Sequence, residues 1–172
     1  MNPRAKGLLG RLTDRMLALL GLDWDISLDS AETEHVSEIT PSLWLGGRPT
    51  REHLPWMEEI GITHVVSCLE EHKREEVAFL PHHIETLFLP VRDGIHEDLS
   101  SAFDAFFAFA KEASEAPQTK MLVHCEVGVS RSATLVVAWR MLTERERFFE
   151  AFEYVGSRRA KVLPAIGFAS QL

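Results

Sequence analysis

The sequence predicts an α/β domain with a central, mainly parallel, twisted sheet of four to five strands and helices on both faces. Two observations predict this fold class. Short apolar runs rich in β-branched residues alternate with longer segments of helical periodicity, which is typical of parallel strands joined by helices. One helical segment, 133–141, is apolar almost all round, so we expect the rest of the domain to cover it on every side.

The composition limits the possible classes of protein. The chain has 172 residues, of which 45% are hydrophobic and 26% are charged, as in one globular domain. Its net charge is −8, so nucleic acid is not an expected partner, and any bound anion must meet a local positive site. No apolar run reaches the roughly 18–20 residues of a membrane-spanning helix. With two cysteines and no recognisable signal peptide, we expect a cytoplasmic location.

Residues 1–37 are expected to precede the main domain, which covers residues 38–172. The segment Arg4–Leu22 is predicted to form a basic amphipathic helix, because its apolar residues recur at helical spacing. The acidic connector that follows, from Asp23 to Glu38, contains six acidic residues and no Lys or Arg. We expect the helix to pack on the domain's own core, and contact with a membrane surface is the alternative.

The main domain alternates strands and helices in order. The predicted strands are Ile39–Leu45, Ile62–Cys68, Thr86–Val91 and Lys120–His124. The predicted helices are Glu52–Ile60 with Gly61 at its end, one from Leu99 through Ala110, Ala133–Met141, one from Phe148 through Val155, and a short one after Pro164. Ligands of such sheets bind beyond the carboxyl ends of the strands. The loop after Lys120–His124 is therefore the expected site.

That loop reads His-Cys-Glu-Val-Gly-Val-Ser-Arg-Ser, from His124 to Ser132. From the composition of the chain, this combination of His, Cys, Gly, Arg and a hydroxyl residue has a chance frequency of about 5 × 10⁻⁵. A loop between a buried strand and a helix N-terminus turns backbone N–H groups inward and forms a site for an anion. Arg131 adds a planar donor that matches phosphate oxygens, and Gly128 permits backbone angles that other residues resist.

The same positive surroundings favour the thiolate of Cys125 over the thiol, so Cys125 is expected to be a nucleophile at neutral pH. Ser132 can donate a hydrogen bond to the sulfur and help it leave. His124 is expected to fix the loop through hydrogen bonds rather than to take a proton. The alternative is that Cys125 is a buried apolar residue and Arg131 a charge at a helix end.

Residues 124–132 resemble the signature of the cysteine-dependent protein tyrosine phosphatases, and SRSAT followed by VVAW and ML is similar to the dual-specificity branch. The resemblance covers most of the chain from about Glu38, including ITPSLWLGG, GITHVVSC, LPVRDG and the closing EAFEYVGSRR…P…GF..QL. It implies hydrolysis of phosphate monoesters on Tyr and on Ser or Thr of phosphorylated proteins, through a phosphocysteine intermediate. Neither a metal nor a cofactor is implied, and the eight histidines show no metal-ligand spacing.

The resemblance also implies roles for single residues. Asp93 in LPVRDG matches the general acid, with Asp98 and Glu97 as alternatives and an ordinary turn aspartate as the structural explanation. Backbone N–H groups of the loop would hold the phosphoryl oxygens. These belong to Glu126, Val127, Gly128, Val129, Ser130 and Arg131. Cys68 is either a buried apolar residue or a redox partner that traps oxidised Cys125 as a disulfide.

Two departures and one ambiguity accompany this resemblance. Ala165 follows Pro164, where the family usually has an Asn that helps to hold the phosphate loop, so the rigidity of the loop is in question. Arg158 and Arg159 could contact a second phosphate or an acidic flank, or could form a solvated helix end. The alternatives to an active protein phosphatase are a phosphoprotein-binding module without turnover and an enzyme that acts on a non-protein phosphate.

Overall fold

The computed structural model describes residues 35–94 and 97–172. The predicted amphipathic helix Arg4–Leu22 and most of the acidic connector lie outside the described residues and stay predictions. Within the described part of the chain, the strands are β1 (Val36–Thr40), β2 (Leu43–Gly46), β3 (His64–Leu69), β4 (Glu85–Pro90) and β5 (Met121–His124). The α-helices there are α1 (Leu54–Ile60), α2 (Ser100–Glu115), α3 (Arg131–Glu144), α4 (Phe148–Arg158) and α5 (Ile166–Ala169).

The strands form one sheet in the order β1-β2-β5-β3-β4. β1 runs antiparallel to β2, and the other neighbours are parallel. The predicted fold class, a mainly parallel sheet with helices on both faces, is confirmed. Because β5 lies in the centre of the sheet, the loop that follows it has a strand on either side.

The predicted single strand Ile39–Leu45 is wrong in one respect. The structure has two antiparallel strands, β1 and β2, joined by a turn at Pro41 and Ser42. Pro41 has no backbone N–H for a strand ladder, and its fixed φ suits a turn. Sequence periodicity also misses a 3₁₀ helix over Glu71–Val77, because such helices are short and carry no 3.6-residue pattern.

One face of the sheet packs against α1. Val65 of β3 and Leu122 of β5 form a buried cluster there with Met57 of α1, and with Ile62 and Ile84. Gly61 ends α1 at φ 81°, as its position in the sequence predicts.

The other face of the sheet is covered by α2 and α3. Residues 131–138 at the start of α3 are all buried, as predicted for 133–138, whereas residues 139–141 of the predicted buried run are half-buried. α2 reaches this face where the ring of Phe109 contacts the ring of His64, with 5.4 Å between centroids. Among the described residues, no helix is both long and apolar enough to span a bilayer.

Candidate active site

The site lies at the carboxyl edge of the sheet, where β5 ends. His124 pairs with Gly46 of β2 on one side and with Ser67 of β3 on the other. Cys125 follows directly and is 2% exposed. Its backbone N–H donates to the Gly46 carbonyl at 3.4 Å, so the cysteine continues the line of the strand. The loop 126–130 then leads into the first turn of α3.

Two donors converge on the Cys125 sulfur. The backbone N–H of Gly128 and the hydroxyl of Ser132 each lie 3.2 Å from Sγ. Burial in itself raises the pKa of the Cys125 thiol, but hydrogen bonds from Ser132 and Gly128 and the charge of Arg131 outweigh it and hold the pKa below its ordinary value. The surroundings therefore favour a thiolate.

Gly128 allows the loop to fold over the sulfur. Its φ is 74°, in the left-handed region. A Cβ atom on this residue would lie 2.3 Å from the carbonyl carbon of Gly46 and 2.7 Å from Nη2 of Arg159. Position 128 thus requires glycine both for its backbone angles and for its space.

His124 is fully buried behind the loop. Nδ1 lies 3.3 Å from the Cys125 carbonyl, and Nε2 lies 2.8 Å from the Ser67 hydroxyl. Burial lowers the pKa of His124 to about 4, so the imidazole is neutral at physiological pH. Its contacts are those of a residue that positions the loop.

Arg131 lies under the mouth of the site and is 5% exposed. Its Nη1 donates to the carbonyl of Val91, the residue after β4, at 3.2 Å. Within the part of the chain that the structure describes, its buried Nε has no hydrogen-bond partner. This N–H is available to an oxygen of a bound anion.

Asp93 lies beside the loop on the segment after β4, and its side chain is 49% exposed. Oδ1 accepts a hydrogen bond from the Ser130 hydroxyl at 3.4 Å, and Oδ2 lies 3.6 Å from Nε of Arg131. The two alternative acids are engaged elsewhere. Asp98 accepts hydrogen bonds from the N–H and the hydroxyl of Ser100, and Glu97 binds Arg92.

The carbonyl groups of the loop point outward and are bound one by one. The Glu126 carbonyl accepts from the N–H of Arg48 at 3.2 Å, and the Val129 carbonyl from the N–H of Leu163 at 2.9 Å. Next to them, the N–H of Ala165 donates to the Ser130 hydroxyl at 3.2 Å. The backbone around Ala165 thus holds the loop, although the family's usual Asn side chain is absent at this position.

Arg159 binds the carbonyls of Val127 and Gly128. Its Nε lies 2.8 Å from the Gly128 oxygen, and its Nη2 lies 3.1 Å from the Val127 oxygen. The side chain is buried, with 1% of the residue exposed. The expectation of a second phosphate contact or a solvated helix end is therefore wrong for Arg159.

The sequence held a signal for the buried position of Arg159, since this residue follows the helical spacing of Phe152 and Val155 one position past the end of α4. Arg158, one position along, points outward and lies over the Tyr154 ring at 3.5 Å. An arginine on an apolar stripe is easily taken for a charge at the end of a helix.

The rim of the site contains an ion-pair group that the sequence analysis missed. Glu126, next to the nucleophile, binds Lys73 at 2.6 Å and Arg48 at 3.3 Å. These contacts, the hydrogen bond from Lys73 first, lower the pKa of Glu126. Two cations therefore offset a carboxylate that would otherwise repel an approaching phosphate. Lys73 lies on the 3₁₀ helix Glu71–Val77, which no sequence pattern predicted.

Cys68 lies on β3 one residue after Ser67, the partner of His124, and is 1% exposed. Burial and the neighbouring Cys125 raise its pKa well above the usual range. Cys68 and Cys125 are not joined by a disulfide. Among the described residues, no cluster of His, Cys, Asp and Glu could hold a metal ion.

Comparison with known proteins adds a family model and close relatives. Residues 43–172 match the model described as "Dual specificity phosphatase, catalytic domain". The chain is 38% identical over 135 residues to rat dual specificity protein phosphatase 5. This match covers 78% of this chain and 34% of the rat protein. It is 33% identical to human dual specificity protein phosphatase 13B, over 83% of this chain and 73% of the human protein.

A solved structure is also similar to this chain. It is that of the human tyrosine phosphatase-like serine/threonine/tyrosine-interacting protein, with a TM-score of 0.74 and 29% identity, covering 79% of this chain and 91% of that one. The chain spans 34% of the length of the first curated relatives that it matches.

Proposed function

The chain belongs to the dual specificity phosphatase family, and from this premise we propose that it hydrolyses phosphate monoesters on tyrosine and on serine or threonine of phosphorylated proteins. The resemblance of residues 124–132 to the signature of this family is thereby confirmed. The reaction uses Cys125 as its nucleophile and passes through a phosphocysteine intermediate. The observation that supports it most is the Cys125 sulfur, which receives two hydrogen bonds at the base of a loop with a buried guanidinium.

In the first step, the thiolate of Cys125 attacks phosphorus and a sulfur–phosphorus bond forms. The phosphoryl oxygens accept hydrogen bonds from the backbone N–H groups of residues 126–131 and from the guanidinium of Arg131. These donors are fixed before the substrate arrives, so little reorganisation is needed when charge develops on the oxygens. The buried Nε of Arg131 is the donor that the site holds ready for this purpose.

The bond from phosphorus to the ester oxygen breaks in the same step, and Asp93 donates a proton to the departing oxygen. The position of Asp93 supports this role, because its carboxylate lies within 3.6 Å of the loop donors Ser130 and Arg131. Asp98 and Glu97 are held by other partners, which favours Asp93 among the three acids.

In the second step, water attacks the phosphocysteine and the sulfur leaves. Asp93, now deprotonated, takes a proton from the water, so one carboxyl group serves both half-reactions. The Ser132 hydroxyl, 3.2 Å from the sulfur, stabilises the thiolate as it forms again. The thiolate and the protonated Asp93 restore the starting state.

The experiment that tests this function is hydrolysis of an aryl phosphate by the full chain in the presence of a chelator. We expect turnover by the wild type and none by Cys125→Ser. Cys68→Ser changes the other cysteine and is expected to retain turnover, which controls for loss of a thiol in the same sheet. A panel of phosphotyrosine, phosphoserine and phosphothreonine peptides then compares the two classes of protein substrate.

Two outcomes would contradict the proposal. Tight binding of phosphopeptides by the wild type without turnover would indicate a phosphoprotein-binding module. Turnover of sugar or nucleotide phosphates with no turnover of any phosphopeptide would indicate an enzyme for a non-protein phosphate. The contacts at Arg159, Leu163 and Ala165 argue against the module, because they hold the loop without the family's usual Asn.

A further inference from the structure

The Val127–Gly128 peptide group lies between two charged groups. On one side its carbonyl oxygen, that of Val127, accepts a hydrogen bond from Nη2 of Arg159 at 3.1 Å. On the other side its N–H, that of Gly128, donates to the Cys125 sulfur at 3.2 Å. A peptide group is planar and conjugated, so its two ends are electronically and geometrically linked. The contacts therefore run from the Arg159 guanidinium to the Val127 carbonyl, and from the Gly128 N–H to the Cys125 sulfur.

We propose that Arg159 is a positioning residue that acts on the Cys125 sulfur through the Val127–Gly128 peptide group. The guanidinium withdraws electron density at the carbonyl end, and this polarises the N–H so that it becomes a stronger donor to the thiolate. It also fixes the rotation of the peptide plane, since an unbound carbonyl could turn and carry the N–H away from the sulfur. The inference rests on the proposed role of Cys125 and assigns a further residue to it.

The other contacts of Arg159 keep the guanidinium in place for this purpose. Nε binds the Gly128 carbonyl at 2.8 Å, and Nη1 lies 3.1 Å from the hydroxyl of Ser37 on β1. Residues from β1, the loop and α4 therefore meet at a side chain that is 1% exposed. A buried guanidinium needs full hydrogen bonding to offset its desolvation, and here backbone carbonyls of the catalytic loop supply part of it.

Other groups that can ionise or carry charge lie around the site. Arg131 on α3 and Cys68 on β3 interact with Cys125, and Asp93 lies 3.6 Å from Arg131. His124 and Glu126 are the neighbours of Cys125 in the chain. His124 is neutral, and Glu126 is paired with two cations. Arg131 acts directly on the thiolate, whereas Arg159 acts through the peptide group. Removing Arg131 and removing Arg159 therefore affect the thiolate by different routes.

The test is the pH dependence of Cys125 alkylation by iodoacetamide, measured on the full chain carrying Cys68→Ser so that one thiol reports. In this background, Arg159→Met and Arg159→Lys are compared with the unaltered residue. We expect Arg159→Met to move the midpoint of alkylation upward by about half a pH unit to one unit, a three- to tenfold loss of thiolate at low pH. Arg159→Lys keeps the charge and loses the planar fork, so a smaller upward shift is expected.

Arg140→Met is the matched control. Arg140 is also largely buried, binds Glu146 at 2.6 Å and lies over the Tyr154 ring. It lines a cleft with Leu43 and Met121, at the amino ends of β2 and β5 and away from the loop. Its loss is expected to lower the melting temperature without moving the alkylation midpoint. An equal shift in Arg140→Met, or no shift in either Arg159 variant, overturns the proposal.

If the Arg159 variants do not fold, an NMR titration of the wild-type chain tests the proposal instead. The guanidinium ¹⁵N resonances of Arg159 are followed through the ionisation of Cys125, and a response at the Cys125 midpoint is expected. A flat signal overturns the proposal. Because alkylation and NMR need no turnover, a chain that fails to hydrolyse phosphate but shows these shifts would refute the proposed function and leave this inference standing.

Discussion

Ser67 and His124 face each other across the two central strands, with the Ser67 hydroxyl 2.8 Å from Nε2 of the imidazole. Both side chains are buried. Since Nδ1 lies 3.3 Å from the Cys125 carbonyl, it carries the proton, and Nε2 accepts from Ser67. The pair ties β3 to the residue before the nucleophile and requires an uncharged ring.

This requirement predicts how stability depends on pH. Burial lowers the pKa of His124 in the folded protein to about 4, against 6.5 for an exposed histidine. As the pH falls below 6.5, the unfolded chain takes up a proton and the folded chain does not, so the free energy of unfolding decreases. Between pH 6.5 and 4 we expect His124 to account for a loss of about 3 kcal/mol. Urea unfolding across this range measures it.

His124→Gln serves as the reference for that measurement. Glutamine is neutral at all these pH values and can bind the same two partners, so the variant is expected to lose less stability between pH 6.5 and 4. The same slope in both proteins would show that His124 does not carry the effect.

Asp93→Asn removes the proposed acid and keeps the shape of the side chain. We expect turnover of an alkyl phosphate to fall by about 10²–10⁴-fold, because an alkoxide leaves poorly without a proton. An aryl phosphate with an acidic leaving group is expected to lose far less. Steady-state kinetics on the two substrates gives the comparison. Asp98→Asn is the control, and a larger loss there than in Asp93→Asn would move the acid to Asp98.

Gly128 and Gly156 form a matched pair for substitution by alanine. At Gly128 a Cβ atom would lie 2.4 Å from the Gly46 carbonyl oxygen at a φ of 74°, whereas at Gly156 it would meet nothing within 4 Å. We expect Gly128→Ala to abolish turnover and to cost at least about 3 kcal/mol of stability.

Gly156→Ala lies in α4 and is expected to stabilise the protein by up to about 1 kcal/mol. Thermal unfolding and an aryl phosphate assay on both variants test the contrast. Equal behaviour of the two would mean that the backbone of the loop differs from the one described.

Cys68 remains a proposed redox partner of Cys125, and the structure gives it a suitable neighbour. The two cysteines each follow a member of the paired residues Ser67 and His124 on adjacent strands. Neighbouring strands lie about 5 Å apart, which matches the Cα separation of a disulfide. Peroxide would oxidise the Cys125 thiolate to a sulfenic acid, and the Cys68 thiol would displace water from it and form the disulfide.

Peptide mapping after mild peroxide treatment is expected to recover the Cys68–Cys125 linkage, and a reductant is expected to restore activity. In Cys68→Ser, the same treatment is expected to inactivate the protein irreversibly. Irreversible inactivation of the wild type at the same rate would rule out the role.

Much of the fold was predictable because strands and helices here carry strong local patterns. The strand before Cys125, the buried helix after it and the glycine at the end of α1 all follow from periodicity and turn chemistry. The turn at Pro41 separates two apolar runs by only two residues, so the sequence pattern predicts one continuous strand there. The 3₁₀ helix Glu71–Val77 carries no apolar periodicity, since its charged side chains face solvent or the rim of the site.

The site shows the same division. Cys125, Gly128, Arg131 and Ser132 lie in one contiguous segment, so their spacing alone predicts that they meet, and the structure brings them together. The residues that bind the outside of the loop, such as Arg48, Arg159 and Leu163, are remote from it in sequence. No local motif surrounds them. Pairing such residues requires the path of the chain between them, which local pattern does not supply.

This remoteness has a consequence for the order in which a growing chain becomes competent. A nascent polypeptide made as far as Glu144 already holds the whole segment His124–Ser132. It lacks Arg159 and Leu163, which bind the loop carbonyls from outside. We therefore expect the Cys125 sulfur to reach its full reactivity only after α4 and the segment behind it have emerged and packed against the loop.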